Sequence, residues 1–239
     1  MSRLFIGTSG WNYPHWADDV FYPSGLTQNK WLEYYAKFFN SVELNVTFYR
    51  LVQRKTFQNW YKRTPKEFHF IAKGNRFITH IKKLKNCRDS VDLFFDNCLG
   101  LKEKLAGVLW QLPPGYKKDL RRLEDFLKLL RKIKTRQAFE LRNKTWFDVE
   151  VYDLLKAYNV CLCIADSDQW PCVKQVTANF VYLRFHGRNG LYSGNYSDKE
   201  LKGWMGFAKD TKKDIFAFFN NDAYGYAVKN ALKFKELLT

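Results

Sequence analysis

The chain has 239 residues, 46% of them hydrophobic and 18% aromatic, and 40 Lys and Arg against 24 Asp and Glu give it a net charge of +16. That apolar content supplies a large core and argues against intrinsic disorder, while the lack of any run of about 18 apolar residues excludes a transmembrane helix. Five cysteines without a CxxC pair, beside four histidines, make neither a zinc cluster nor a disulfide framework.

Taken in chain order, strand-like apolar runs fall at 4–8, 41–45, 69–73, 107–112, 138–142, 161–166, 180–186 and 215–220. Helical periodicity lies between most of them, at 28–39, 57–63, 91–103, 120–133, 149–158, 198–208 and 224–238. The first run is too short for a secretory signal, so a cytoplasmic protein without a membrane partner is expected. Strands alternating with helices imply right-handed crossovers and a parallel sheet. Eight such units match a closed (β/α)8 TIM-like barrel better than an open sheet. The interval 167–179 is too short for a helix and two loops, so the sixth helix is reduced or absent. No linker, repeat or low-complexity segment divides the chain, and 1–239 reads as a single domain.

The positive charge is unevenly spread. The run 73–88 holds six basic residues and no acid, whereas 117–136 holds nine basic and three acidic residues on a solvated helix face. A field of this size draws polyanions, nucleic acid among them.

A barrel of this kind carries its active site at the C-terminal ends of the strands. Those ends hold Ser9, Glu43, Asn45, Lys73, Gln111, Glu140, Arg142, Asp166, Arg184, His186 and Asn220, while the rest of each strand is mainly apolar or aromatic. Residues two apart share a strand face. Glu43 with Asn45, Glu140 with Arg142, and Arg184 with His186 are therefore expected to point together into the barrel, where charge must find a partner or a ligand.

These residues sit within a longer set of motifs: Gly7-Thr8-Ser9-Gly10-Trp11, Phe21-Tyr22-Pro23, the stretch from Val42 to Arg50, Thr64-Pro65, Thr79-His80, Gln111-Leu112-Pro113-Pro114, Glu140-Leu141-Arg142 with Trp146, Arg184-Phe185-His186-Gly187 and Phe219-Asn220-Asn221. In this order, over the whole chain, they resemble the YecE-like proteins, a TIM-barrel family of unknown function. Val46 stands where a small hydroxyl residue is common, and Leu51-Val52 replaces a frequent proline. The resemblance implies a barrel with a deep polar site and no settled reaction.

The site residues suggest three readings. In the first, Lys73, Arg142 and Arg184 hold an anion, and Glu43, Glu140, Asp166 and His186 move protons in phosphoester or other acid–base chemistry. The ligand then carries phosphate, as a nucleotide, a sugar phosphate or nucleic acid does, and the protein would be a hydrolase or isomerase. Trp11, Asn45, Tyr49, Gln111, Trp146, Tyr196 and Asn220 are the candidate substrate contacts. Tyr13, Trp16, Phe48, Trp170 and Tyr192 are further aromatics at the expected site face, some of them serving as small cores under the loops. A second reading makes Glu43 and Glu140 the acid–base pair of a carbohydrate-active enzyme. The third is a non-catalytic ligand-binding module.

No cofactor or obligate protein partner is expected. A divalent cation on Glu140, Asp166, His186 and Asn220 is the lesser alternative, since three cations already balance the three acids. The Gly-rich stretch 187–196 reads as a lid. Asn221 and Asp222 read as caps of the last helix, and Cys161 and Cys163 as small core residues.

Overall fold

The computed structural model describes residues 2–188, 190 and 192–237. Its parallel strands are β1 (Leu4–Thr8), β2 (Ser41–Leu44), β3 (His69–Lys73), β4 (Leu105–Gln111), β5 (Arg136–Glu140), β6 (Cys161–Leu162), β7 (Ile164–Ser167), β8 (Phe180–Gly187) and β9 (Asp214–Phe219). One sheet runs β1-β9-β8-β7 and the other β2-β3-β4-β5-β6. β6 and β7 are two halves of one strand broken at Cys163, so the chain itself carries one sheet into the other. The eight expected strands close into a TIM-like barrel.

The second seam, between β1 and β2, is joined by side chains. Asn40 accepts from the Ile6 N–H at 3.0 Å through Oδ1 and donates through its amide to the Leu4 carbonyl. The Tyr35 hydroxyl accepts from the Thr8 N–H at 2.9 Å and donates to the Ser41 carbonyl at 3.2 Å. Gly7 permits this approach, because a Cβ there would lie 2.0 Å from the Ser41 carbonyl oxygen.

Helices α1 (Trp31–Phe38), α2 (Val46–Tyr49), α3 (Arg54–Lys62), α4 (Arg88–Cys98), α5 (Leu120–Leu130), α6 (Val149–Ala157), α7 (Asp198–Asp210) and α8 (Tyr226–Glu236) follow the strands. α5 shows why they dock. Leu123, Phe126, Leu127 and Leu130 recur at helical spacing and are all buried, and Asp119 starts the helix by accepting from the Arg122 N–H. α7 opens with a reciprocal Ser197–Glu200 cap. The four-residue α2 and a wide turn at Phe77–Ile81 lie outside the helical periods read from the sequence. Residues 168–177 contain no helix, as their length required. In place of a neighbouring strand, Thr177 Oγ1 accepts from the Leu162 N–H and donates to the Val160 carbonyl, each at 2.7 Å. Residue 238, the end of the last expected helix, lies outside the described residues. Among those residues no helix is long and apolar enough to cross a membrane.

Strand parity sorts the core into two parts. Val42, Leu44, Phe70, Val108, Phe139, Leu183, Phe185 and Phe219 face the helices. Phe5, Ile71, Leu109, Ala138, Cys161, Cys163, Phe180, Tyr182, Phe216 and Phe218 fill the barrel. The two cysteines are core residues, as expected. The next inward positions toward the C-terminal ends are polar, and there the hydrophobic filling stops.

Candidate functional site

Arg184 lies at the centre of the polar layer. Its two terminal nitrogens bond Glu140 Oε2 and, at 2.6 Å, Glu43 Oε1, and all three side chains are fully buried. Ser9 donates to Glu43 Oε1 at 2.9 Å and Tyr182 to Oε2 at 2.7 Å. Around Glu140 Oε1 stand Arg142 Nε at 2.7 Å, Gln111 Nε2 at 3.2 Å and His186 Nε2 at 3.4 Å. Burial opposes ionisation of Glu140, but Arg142 and Arg184 outweigh it and hold the carboxyl well below its ordinary 4.5. Glu43, Arg184 and Glu140 form a buried ion triad beneath the mouth, in which Arg184 Nε has no hydrogen-bond partner among the described residues.

His186 is held neutral above this layer. Its Nδ1 lies 3.2 Å from the Asn220 amide nitrogen, and this assignment leaves the ring proton on Nε2, facing Glu140. Burial pushes its pKa down to about 4, against the pull of Glu140. With that pKa the ring is neutral near pH 7, a state in which it accepts a proton rather than supplying one as an imidazolium.

Two further cations are incompletely matched. Arg142 lies 3.8 Å from the Trp170 ring centroid, and its Nη2 and the Trp170 indole N–H are buried with no hydrogen-bond partner among the described residues. Lys73, with 6% of its surface exposed, lies over the Phe48 ring at 4.3 Å. Its ammonium makes no hydrogen bond or ion pair among the described residues. Burial first, then Arg184, bring its pKa down to about 7. Trp170 reaches this position because no helix follows β7; the free segment turns back over the mouth and also sets its ring edge-on to His186.

The site thus gathers Glu43, Lys73, Gln111, Glu140, Arg142, Arg184, His186 and Asn220, with Asn45 beside them donating to the Ser9 carbonyl at 2.9 Å. Other candidates lie elsewhere. Asp166 faces outward, where it accepts from Trp204 of α7 at 3.2 Å and pairs with Arg188 at 2.7 Å. Cys161 and Cys163 point inward, so position 166 falls on the opposite face. Trp11 packs edge-on against Trp60, and Trp146 is fully buried with its N–H on the Tyr116 carbonyl. Tyr196 is buried against Phe185 and Phe219, and its hydroxyl accepts from the Gly187 N–H. Tyr49 is 76% exposed on the rim. Asn221 and Asp222 do not cap α8: one bonds Gly194 and Asn230, the other His15 and Trp16. In the stretch read as a lid, Asn189 and Leu191 lie outside the described residues, while the Tyr192 ring is 5.6 Å from His186.

Tyr182 escaped the sequence reading, although it lies two residues before Arg184 on the same face. Trp170 was named only as an aromatic. Among the described residues no three His, Cys, Asp or Glu side chains converge as a metal-holding set. A cleft of about 570 Å³ lies at the opposite end of the barrel, lined by Arg3, His69, Arg136 and Phe180 among others. In this fold that end serves stability.

Comparison with known proteins places this geometry in a family. A family model described as a protein of unknown function, DUF72, matches residues 5–239. The UPF0759 protein YunF of Bacillus subtilis (strain 168) is 29% identical over 274 aligned residues, covering 98% of this chain and 94% of that protein. The UPF0759 protein YecE of Escherichia coli (strain K12) is 31% identical over 113 residues, 47% of this chain and 39% of that one. The crystal structure of a DUF72 family protein from Thermotoga maritima MSB8 superposes with a TM-score of 0.88 at 30% identity, covering 99% of both chains. D-psicose 3-epimerase, crystallised in the presence of D-fructose, reaches a TM-score of 0.56 at 10% identity over 100% of this chain and 97% of its own, a likeness of fold alone. From its motifs to its closed barrel, the chain belongs to the DUF72 family.

Proposed function

We propose that the barrel mouth binds a small phosphate-bearing ligand, the size of a nucleotide or sugar phosphate, through Arg142, Trp170 and Lys73. The observation that carries this reading is two buried donors without an acceptor at one end of one barrel, Arg142 Nη2 and the Trp170 indole N–H, with the unpaired Lys73 ammonium over Phe48 nearby. A buried donor without an acceptor costs about 1–3 kcal/mol, and an oxyanion relieves that cost. Arg184, already neutralised by Glu43 and Glu140, acts as the floor of the site rather than as an anion clamp. The same pairing argues against Glu43 and Glu140 as a glycosidic acid–base pair. In that chemistry the two carboxyls face the sugar, one of them giving a proton to the leaving group, whereas both are bound to Arg184 inside the barrel and Glu140 is held ionised.

Titration calorimetry with inorganic phosphate and with a nucleoside monophosphate tests the reading. Saturable binding is expected, weakened roughly tenfold or more by Arg142→Ala and also weakened by Trp170→Phe, which removes the indole donor. Binding that Arg142→Ala leaves unchanged, or no binding at all, overturns it.

One observation favours nucleic acid as the phosphate bearer. On the rim, Tyr49 is 76% and Phe77 44% exposed, and the Lys82 ammonium lies 5.3 Å from the Phe77 ring centroid. Stacking rings beside cations suit a single strand. Under this second reading an oligonucleotide binds more tightly than the mononucleotide, and its affinity falls linearly with the logarithm of salt concentration.

A further inference from the structure

The protein buries two lysines near the barrel and treats them in opposite ways. Lys104, 3% exposed, donates to the Tyr61 carbonyl at 2.7 Å, the Thr64 carbonyl at 2.7 Å and Thr64 Oγ1 at 3.0 Å. All three of its protons are matched, as a structural ammonium requires. Lys73 has none of this, although its backbone is firmly held. Thr47 Oγ1 donates to the Lys73 carbonyl at 2.6 Å, and Asn75 Nδ2 donates to the Thr47 carbonyl at 3.1 Å. The side chain leaves this anchored strand end, passes over Phe48 and ends among unlike neighbours. Glu43 on β2 and Glu140 on β5 are the acids that act on it, and both are bound to Arg184. Arg184 on β8 and Arg142 beyond β5 oppose its charge, and its own charge in turn depresses His80 on the following turn.

From this placement we infer that Lys73 is a carbonyl-reactive amine, forming an imine with an aldehyde or ketone whose anionic group is held by Arg142. The second half of the inference rests on the proposed anion site; the first half does not. A desolvated lysine beside other cations is the environment that activates amines toward carbonyl carbons. With its pKa brought to about 7, about half of the amine is neutral at neutral pH. In the step itself, the Nζ lone pair forms a bond to the carbonyl carbon and the C=O π pair moves to oxygen. A proton passes from nitrogen to that oxygen, giving a carbinolamine. The nitrogen lone pair then expels the hydroxyl, which leaves as water after taking a proton from solvent; the C=N bond forms as a protonated imine, and its N–H proton returns to solvent to give the neutral imine. One carbonyl compound is consumed and one water released, with no change of oxidation state.

The test incubates the full chain at pH 7 with sodium cyanoborohydride and either glyoxylate, an anionic aldehyde, or glycolaldehyde, a neutral one. Peptide mass spectrometry then compares Lys73 with the exposed Lys62 and Lys66. Lys73 is expected to be modified roughly tenfold faster than the exposed lysines, more so with glyoxylate, and phosphate is expected to slow the reaction. Arg142→Ala should remove the preference for glyoxylate, and should slow both aldehydes because one of the cations that depress the amine is lost. Equal modification by both aldehydes in the native chain upholds the reactive amine and overturns the anion site. An unmodified Lys73 beside labelled Lys62 and Lys66 overturns the inference, and does so even if phosphate binds.

Discussion

Arg184 Nη2 lies 2.6 Å from Glu43 Oε1 with both side chains fully buried, and through Glu140 the same guanidinium ties β2, β5 and β8 together inside the barrel. Removing one partner of such a set leaves uncompensated charge and costs about 3–5 kcal/mol. Arg184→Met is expected to lower stability by that amount in urea unfolding at pH 7. Adding Glu43→Gln and Glu140→Gln to it should recover at least half of the loss, because the stranded carboxylates are then gone. A loss well under 1 kcal/mol for Arg184→Met would mean that the triad is not formed.

Lys73 gives a stability effect of the opposite sign. The unfolded side chain titrates near 10.5 and the folded one near 7, so between these values the unfolded chain binds more protons and stability rises with pH. Below pH 7 the penalty is constant. Lys73→Met is therefore expected to stabilise the protein by about 3–5 kcal/mol at pH 6.5, less the contact with Phe48, and the gain should shrink steadily toward pH 10.5. Urea midpoints at pH 6.5 and 9.5 measure this. A variant destabilised equally at both would show an ammonium with a carboxylate partner.

The histidines of the mouth make a spectroscopic prediction. His186 and His80 are each pushed down from 6.5 to about 4, His186 by full burial and His80 by burial together with Lys73. Their ring-proton NMR shifts should stay constant from pH 8 to pH 5 and move only near 4. Between 6.5 and 4 the unfolded state binds more protons at these sites, so stability falls as the pH drops through that window. A His186 midpoint above 6 would instead mark a charged imidazolium paired with Glu140.

At the β1–β2 seam the Tyr35 hydroxyl joins the Thr8 N–H to the Ser41 carbonyl, beside the bonds made by Asn40. Tyr35→Phe leaves that buried N–H unpaired and should cost about 1–3 kcal/mol. Amide exchange at Thr8 should quicken by more than the global loss of stability explains, because the change opens the seam locally.

The alternation of inward and outward residues was legible without coordinates, because it follows from the covalent geometry of an extended chain. It placed Glu43, Glu140, Arg184 and His186 inside the barrel from their spacing alone. The same rule, counted from Cys161, turns Asp166 outward, and Tyr182 lay within its reach two residues before Arg184. The short interval after β7 likewise announced a missing helix.

What parity does not contain is which inward groups meet. Glu43 and Arg184 are 141 residues apart, and their bond forms only because the barrel closes through the β6–β7 strand and the Asn40 and Tyr35 seam. Closure matched Arg184 with two acids and Lys73 with none, and the helix-free turn laid Trp170 on Arg142. By itself the sequence determined the barrel and its polar end. Only the tertiary structure decided which cations are paired with acids and which are not, because that depends on distances across the barrel and on the loss of water around each group.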